Sequence, residues 1–317
     1  MKTAVASTLP SFEPVPACWI CGGRRLARVH PAPFEFPQFE HEDAELFSYG
    51  GLSVWIVRCA DCGFRQPEKL PALPRFFDRM YAQRWSEEWI AGEYDSTYKD
   101  FIFGTILAEL DRRVGSRSGR TLLDVGAHAG RFLSLAQARS WRVEGIELNP
   151  RTAAYASRRT GAVVHHLNAR ELAVTGRRYA AVTLTDVLEH IPQPVDLLTT
   201  LAALTEPGGC MAVKVPCGPS QAIKEQILAR VSTHRVSLAD NLVHVNHFSP
   251  HSLRLALERA GFAGVTVVAG APELPPAGGL RTAVSNAFRL SVYFAARLPG
   301  GVHTPFALNL QAYAVKA

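Results

Sequence analysis

The sequence predicts an α/β protein: a mostly parallel sheet with helices on its faces, preceded by a small cysteine-bearing module. Three observations lead there. From Arg120 onward short β-rich runs alternate with helical stretches, the pattern of parallel strands joined by crossover helices. The first of these runs ends in Asp124 and a turn bracketed by Gly126 and Gly130, where open α/β sheets bind ligands. Ahead of the sheet, two Cys-x-x-Cys-Gly pairs lie in a stretch without helical period. The length of 317 residues suits one large domain plus a small appendage, or two modest domains. With 47% hydrophobic and 20% charged residues, the composition excludes a disordered or fibrous chain.

Residues 1–16 are polar, small and proline-bearing, and are predicted to form a disordered tail. Residues 17–66 form the cysteine module, in which the run 53–58 (SVWIVR) reads as a strand leading into the second pair. Each CxxCG turn presents two thiolates to one ion, and the glycine permits the tight backbone that follows. Cys18, Cys21, Cys59 and Cys62 thus make the closed tetrahedral set of a structural zinc site, with no open position for a substrate. The 37 residues between Cys21 and Cys59 require a hairpin or loop to fill the gap. A redox-active CxxC needs only one pair. The first residues lack a secretory apolar core, and no run approaches the roughly 18 apolar residues of a membrane span. A cytoplasmic location follows, where paired cysteines favour metal over disulfides.

Residues 67–119 are predicted as a linker, marked by Pro67, Pro71 and Pro74, and then a helical lid or cap. Its aromatic residues, from Phe76 through Trp85 and Trp89 to Phe103, read as a core-facing stripe. Tyr94 and Tyr98, four apart in a polar stretch, are candidates to cover a bound ligand. From residue 120 to 317 strands are predicted near 121–125, 142–147, 162–166, 180–185 and 210–215. A helix over 250–260, a strand at 264–269, a long insertion at 270–307 and a last strand near 308–315 complete the chain.

The run 121–133 (TLLDVGAHAGRFL) carries the ligand signal. It is joined by 143–150 (VEGIELNP), whose Glu147 lies 23 residues past Asp124, where an acid commonly takes ribose hydroxyls. A strict G-x-G-x-x-G and the glycine-lysine pair of a P-loop are both absent.

These motifs resemble those of the class I S-adenosylmethionine-dependent methyltransferases, from about residue 75 to the C-terminus. Asp124, Gly126, His128 and Gly130 match the family's acidic-x-Gly-x-Gly-x-Gly loop, with His128 in place of the middle glycine. Glu147 matches the ribose-binding acid, with Leu148 beside it, and Asn168 falls where the family approaches the adenine. The run 179–192 (YAAVTLTDVLEHIP), with Asp186, Glu189 and His190, resembles the fourth-strand motif. The run 204–209 (LTEPGG) resembles the turn before strand five, and 244–262 resembles the segment that closes the site. The resemblance implies a Rossmann-like sheet of seven strands, mostly parallel, with an antiparallel last strand, and S-adenosylmethionine as cofactor. The cysteine module looks like the zinc-binding extension of a subgroup that includes sugar methyltransferases.

Methyl transfer from a sulfonium releases a proton from the acceptor, so a base within reach is useful. Histidine titrates in the right range. His190 follows strand four at the carboxyl edge of the sheet, and His244 and His247 precede the helix start at Ser249 and Pro250. These three are the candidate catalytic residues, and Asp186 is the candidate for holding the methionine moiety or substrate.

The reading is of methyl transfer to a small-molecule acceptor, a metabolite, sugar or lipid-linked intermediate. One rival is a zinc-ribbon RNA methyltransferase, because the formal charge is +6 and the segment 151–178 holds six arginines against Glu171. Against it, the fourth strand lacks the Asn/Asp-Pro-Pro-aromatic motif of exocyclic-amine methylation, and the module lacks a basic stripe with interleaved aromatics. A second rival is a non-catalytic cofactor-binding protein. Lys224, Arg230, His234 and Arg235 are further candidates for acceptor binding.

Overall fold

The computed structural model describes residues 10–34, 43–82, 86–115, 119–231, 242–276 and 278–317. Trp85, His234, Arg235 and the first nine residues of the predicted tail lie outside them. The cysteine module and the segments flanking it hold strands β1 (Phe12–Pro14), β2 (Leu26–Pro33), β3 (Ser53–Cys59), β4 (Arg65–Pro67) and β5 (Lys69–Pro71), with a short helix α1 (Ala44–Phe47). Three helices follow: α2 (Phe76–Ala82), α3 (Glu87–Asp95) and α4 (Asp100–Val114). The alternating part runs β6 (Thr121–Val125), α5 (Arg131–Gln137), β7 (Arg142–Ile146), α6 (Pro150–Thr160), β8 (Val163–His165), α7 (Ala169–Ala173) and β9 (Tyr179–Thr185). It continues through α8 (Pro194–Leu204), β10 (Thr205–Pro216), α9 (Gly218–Val231), α10 (Pro250–Arg259), β11 (Phe262–Ala269), α11 (Leu280–Ala296) and β12 (Asn309–Lys316).

The seven strands from β6 onward form one sheet in the order β11-β12-β10-β9-β6-β7-β8. Neighbours from β8 to β10 pair in parallel, and β12 runs antiparallel between β10 and β11. This is the predicted sheet, with strand limits within a few residues of those read from sequence. The order reverses beside β6, which opens a crevice at the carboxyl ends of β6 and β9. Strands β6 and β9 are buried almost throughout because helices cover both faces, which is why they read as continuous apolar runs.

Two features differ from the sequence reading. The tail is not without structure up to residue 16, because β1 pairs antiparallel with β5 in the proline-marked linker. Short, proline-flanked strands carry little periodicity, so neither was legible. The insertion at 270–307, for which no element was predicted, contains the long helix α11.

The cysteine module is joined to the sheet by shared core. Ile20, Phe64 and the cysteines pack in one cluster with Val215, Phe248 and Leu253, and the rings of Phe64 and Phe248 sit 5.1 Å apart. Arg65 and His247 pair through their backbones. A second cluster brings Phe34 and Tyr49 of the module against Phe76, Phe77 and Met80 of α2 and against Leu242, Val243 and Val245. The aromatic stripe therefore divides: Phe76 and Phe77 serve the module, whereas Phe103 of α4 packs on the sheet beside Phe132. Among the described residues, no helix is long and apolar enough to cross a membrane.

Candidate active site

A cavity opens at the carboxyl ends of β6 and β9, lined by Asp124, Gly126, His128 and Thr185 from the sheet and by Glu93, Tyr98 and Lys99 from the helical cap. The loop after β6 is shaped by its own backbone. Gly126 has φ 78°, and a Cβ there would lie 2.4 Å from Val187 Cγ2. A Cβ at Gly130, φ 89°, would meet Thr160 and Ala156 of α6. Gly126 thus answers to the strand-four turn, and Gly130 to close helix packing. His128 takes the left-handed conformation itself, φ 49°, and Trp89 of α3 stands edge-on to its ring at 5.0 Å. The loop therefore closes without the family's middle glycine.

Glu147 ties this loop to the end of β7. Its Oε2 accepts from the His128 N–H at 3.0 Å and its Oε1 from the Asn149 N–H at 2.9 Å. Burial raises its pKa, opposed by those backbone donors. Leu148 lies in the same turn, between Glu147 and the helix cap Asn149. Asp124 is buried and accepts from Thr183 Oγ1 at 2.6 Å, and its removal from water pushes its pKa up to about 7. Asn168 caps α7 through a reciprocal bond pair with Glu171, so its carbonyl oxygen is already engaged. Tyr94 donates to or accepts from Ser134 of α5 at 2.8 Å, which ties the cap to the helix after the loop, and Tyr98 donates to Glu93 within the cap.

Asp186 sits at φ 56° with two lysines on its carboxylate: Lys99 at 3.1 Å, and Lys214. Burial opposes its ionisation, but the two cations win and hold it well below the usual carboxylate range. Neither lysine was anticipated. Lys214 interrupts the apolar strand β10 and is 4% exposed, and a lysine so placed is itself a signal of a buried partner.

The turn after β9 brings His190 and His244 together. Asn246 is the clip: its Nδ2 donates to the carbonyls of Leu188 and Ile191, each at 2.7 Å, and its N–H donates to the Glu189 carbonyl. Sequence reading missed this residue. The His190 and His244 rings lie 4.7 Å apart. His190 Nδ1 is 2.8 Å from the Val243 carbonyl, which can only accept, so Nδ1 carries a proton and the lone pair of the neutral ring is on Nε2. Glu189 lies behind them, 1% exposed, with Oε2 lacking a hydrogen-bond partner among the described residues. Burial, then the charge of Asp186, push its pKa up to about 8. Glu189, His190 and His244 have ligand atoms within 4.8 Å of one another.

His247 is not brought into that trio. It sits against the cysteine module, edge-on to His30, with its backbone paired to Arg65. Burial first, and then the neighbouring His244, His30 and Arg65, push its pKa down to about 3, so it stays neutral.

The four module cysteines converge, with all sulfurs within 4.8 Å of one another and the closest pairs, Cys18–Cys62 and Cys21–Cys59, at 3.5 Å. None is in a disulfide. Gly22 and Gly63, which follow the two knuckles, have φ 77° and 73°, the left-handed turn that glycine permits.

The family described as "Methyltransferase domain" matches residues 98–267. A ubiquinone biosynthesis O-methyltransferase of Cereibacter sphaeroides is 31% identical over 156 residues, covering 44% of this chain and 62% of the relative. A protein of the same name from Caulobacter vibrioides is 32% identical over 146 residues, covering 43% and 56%. The chain thus spans less than two thirds of the length of these curated relatives. Among solved structures, a SAM-dependent methyltransferase from Archaeoglobus fulgidus aligns with a TM-score of 0.42 at 15% identity, over 69% of this chain and 98% of the other. With more than half of its length inside the family match and seven strands in a β8-β7-β6-β9-β10-β12-β11 sheet, the chain belongs to the class I S-adenosylmethionine-dependent methyltransferases.

Proposed function

We propose that this protein transfers the methyl group of S-adenosylmethionine to a hydroxyl of a small-molecule acceptor, with His190 or His244 taking the proton. The observation that carries the reading is the pairing of His190 and His244, 4.7 Å apart, at the carboxyl edge of β9. The relatives named as O-methyltransferases favour an oxygen acceptor.

The residues present fit the cofactor. The backbone from Gly126 to Gly130 and the Glu147 carboxylate would hold the nucleoside, with Leu148 and the Asn168 amide nitrogen toward the base. The Lys99–Asp186 pair offers a cation and an anion to the zwitterionic methionine end. When bound, the sulfonium supplies an activated methyl group for in-line displacement. The chain's part is alignment, exclusion of water and acceptance of the proton at an imidazole nitrogen. The Val243 carbonyl holds His190 in the tautomer whose Nε2 can accept that proton. Buried Glu189, with its raised pKa, is a neutral acid at pH 7 and does not compete for it.

The cysteine cluster fits structural zinc. Four sulfurs on a tetrahedron with Zn–S of about 2.3 Å lie roughly 3.8 Å apart, close to the observed spacing. The ion would stabilise the module that carries Phe64 and Arg65 to the rear of the site.

The test is transfer of labelled methyl from the cofactor to a panel of hydroxylated aromatic, glycosyl and prenyl-linked acceptors. Methylation at oxygen supports the reading; product formed only on RNA, or none with any acceptor while cofactor binds, overturns it.

A further inference from the structure

The helix α11, which fills the insertion between β11 and β12, turns its apolar side outward. Its inner residues Tyr293 and Ala296 are buried, with the Tyr293 ring 5.6 Å from that of Phe101 on α4. Leu280 is 82% exposed, Val284 60%, Phe288 69% and Phe294 59%. Placed at about 100° per residue, these four fall within an arc of roughly 120° on the side opposite Tyr293. Leu298, at the helix exit, and Phe306, on the return segment, are exposed too. A surface helix of a folded protein ordinarily buries its apolar stripe, so a stripe turned to water marks a docking face.

The charge around the stripe says what covers it. From residue 274 to the last residue there is no aspartate or glutamate, whereas Arg281 and Arg297 flank the stripe on its two sides and Arg289 stands on the Tyr293 side, donating to the Glu273 carbonyl. All three are exposed. A second copy of the chain docking face to face would oppose the same arginines, a like-charge contact. An anionic lipid surface accepts both features: apolar side chains enter the acyl boundary while arginines reach phosphate headgroups. The 17 residues of α11, with their arginines, are not long and apolar enough to span a bilayer.

We infer that α11 is an interfacial helix that docks this protein on an anionic membrane surface. The helix is joined to the site, because the Leu274 N–H, at the root of the insertion, donates to the Tyr98 carbonyl on the cavity wall. Docking therefore holds the cap and cavity close to the bilayer. The surface stands apart from the identity of the acceptor.

Vesicle flotation of the full chain tests this without any activity measurement. Wild type should float with phosphatidylcholine vesicles containing phosphatidylglycerol and not with phosphatidylcholine alone, and lose binding as salt rises past about 0.5 M. Phe288→Glu with Phe294→Glu should lower the partition coefficient at least about tenfold, and Arg281→Glu with Arg297→Glu should abolish the preference for anionic lipid. Circular dichroism and cofactor affinity should match wild type in both; Leu280→Ser, at the most exposed position, serves if the phenylalanine variant does not fold. No flotation of wild type at low salt, or unchanged flotation of Phe288→Glu with Phe294→Glu, overturns the inference. So does self-association that the phenylalanine variant abolishes while no vesicles bind, which would make a second copy the occupant.

Discussion

The Nδ1–H of His190 donates to the carbonyl of Val243 across 2.8 Å, which sets the imidazole's tautomer and brings the neighbouring His244 against it. The contact joins residues 53 apart in the chain, and Asn246 holds it by bonding both carbonyls that flank the strand-four turn. If an imidazole takes the acceptor's proton, His190→Ala and His244→Ala should lower kcat about 10²- to 10⁴-fold with cofactor affinity unchanged. Steady-state rates beside calorimetry separate the two effects; unchanged kcat in both variants removes the histidines as bases.

Glu189 should make stability fall with rising pH. Its folded pKa, about 8, lies above the ordinary 4.5, so the native state binds the extra proton across that window. Stability is then greatest below about 4.5, as far as this group decides, and falls by up to about 1.4 kcal/mol per pH unit toward pH 8. Glu189→Gln, neutral throughout, should exceed wild type in Tm at pH 8 and lose that advantage near pH 5. A constant difference across the range would show that Glu189 is not protonated in the folded protein.

Glu147→Gln retains one acceptor for the His128 or Asn149 N–H but removes the charge offered to ribose hydroxyls. Cofactor affinity should fall about tenfold, as expected for loss of a charge-assisted hydrogen bond of 1.5 kcal/mol or so. Isothermal titration measures it, and Tm should fall as well, because the new amide nitrogen faces a backbone N–H from which it cannot accept. Equal affinity in the variant would contradict the ribose assignment.

Gly126→Ala should destabilise by about 1–3 kcal/mol, because the new methyl meets Val187 at 2.4 Å on a left-handed backbone. Adding Val187→Ala should recover the steric part and leave the backbone part. Urea unfolding of the single and double variants measures the difference, and no recovery would mean that backbone strain is the whole effect.

Elemental analysis should return about one zinc per chain. Cys59→Ser should lose the metal and lower Tm in one transition, because Phe64–Phe248 and Arg65–His247 bind the module to the sheet. Two separate transitions would show that the module unfolds alone.

The strands, their alternation with helices and the pairing of the cysteines were legible in the amino-acid order. Each depends on side-chain period or on spacing within a few residues, and local physics decides those. Asp124, Gly126 and Gly130 were legible for the same reason, and Glu147 was joined to them by its 23-residue spacing and the family resemblance. Asn168 and His247 were legible only as polar residues near the right strands. Asn168 spends its oxygen on a cap with Glu171, three residues on, a local motif that the sequence reading passed over, whereas His247 faces the cysteine module through partners far along the chain.

The amino-acid order alone carried the fold class, the cysteine module and the loop that reads as a cofactor site, because these follow from periodicity and short-range geometry. Tertiary structure decided the rest. Lys99 and Lys214 meet on Asp186 only when β9, β10 and the start of α4 come together in the folded sheet, and His190 meets His244 only through the Asn246 clip. The stripe on α11 reads in sequence like any amphipathic helix; only the fold shows that its apolar side is the one turned away from the core. Long-range contacts and the direction a face points are properties of the packed chain, and no local pattern encodes them.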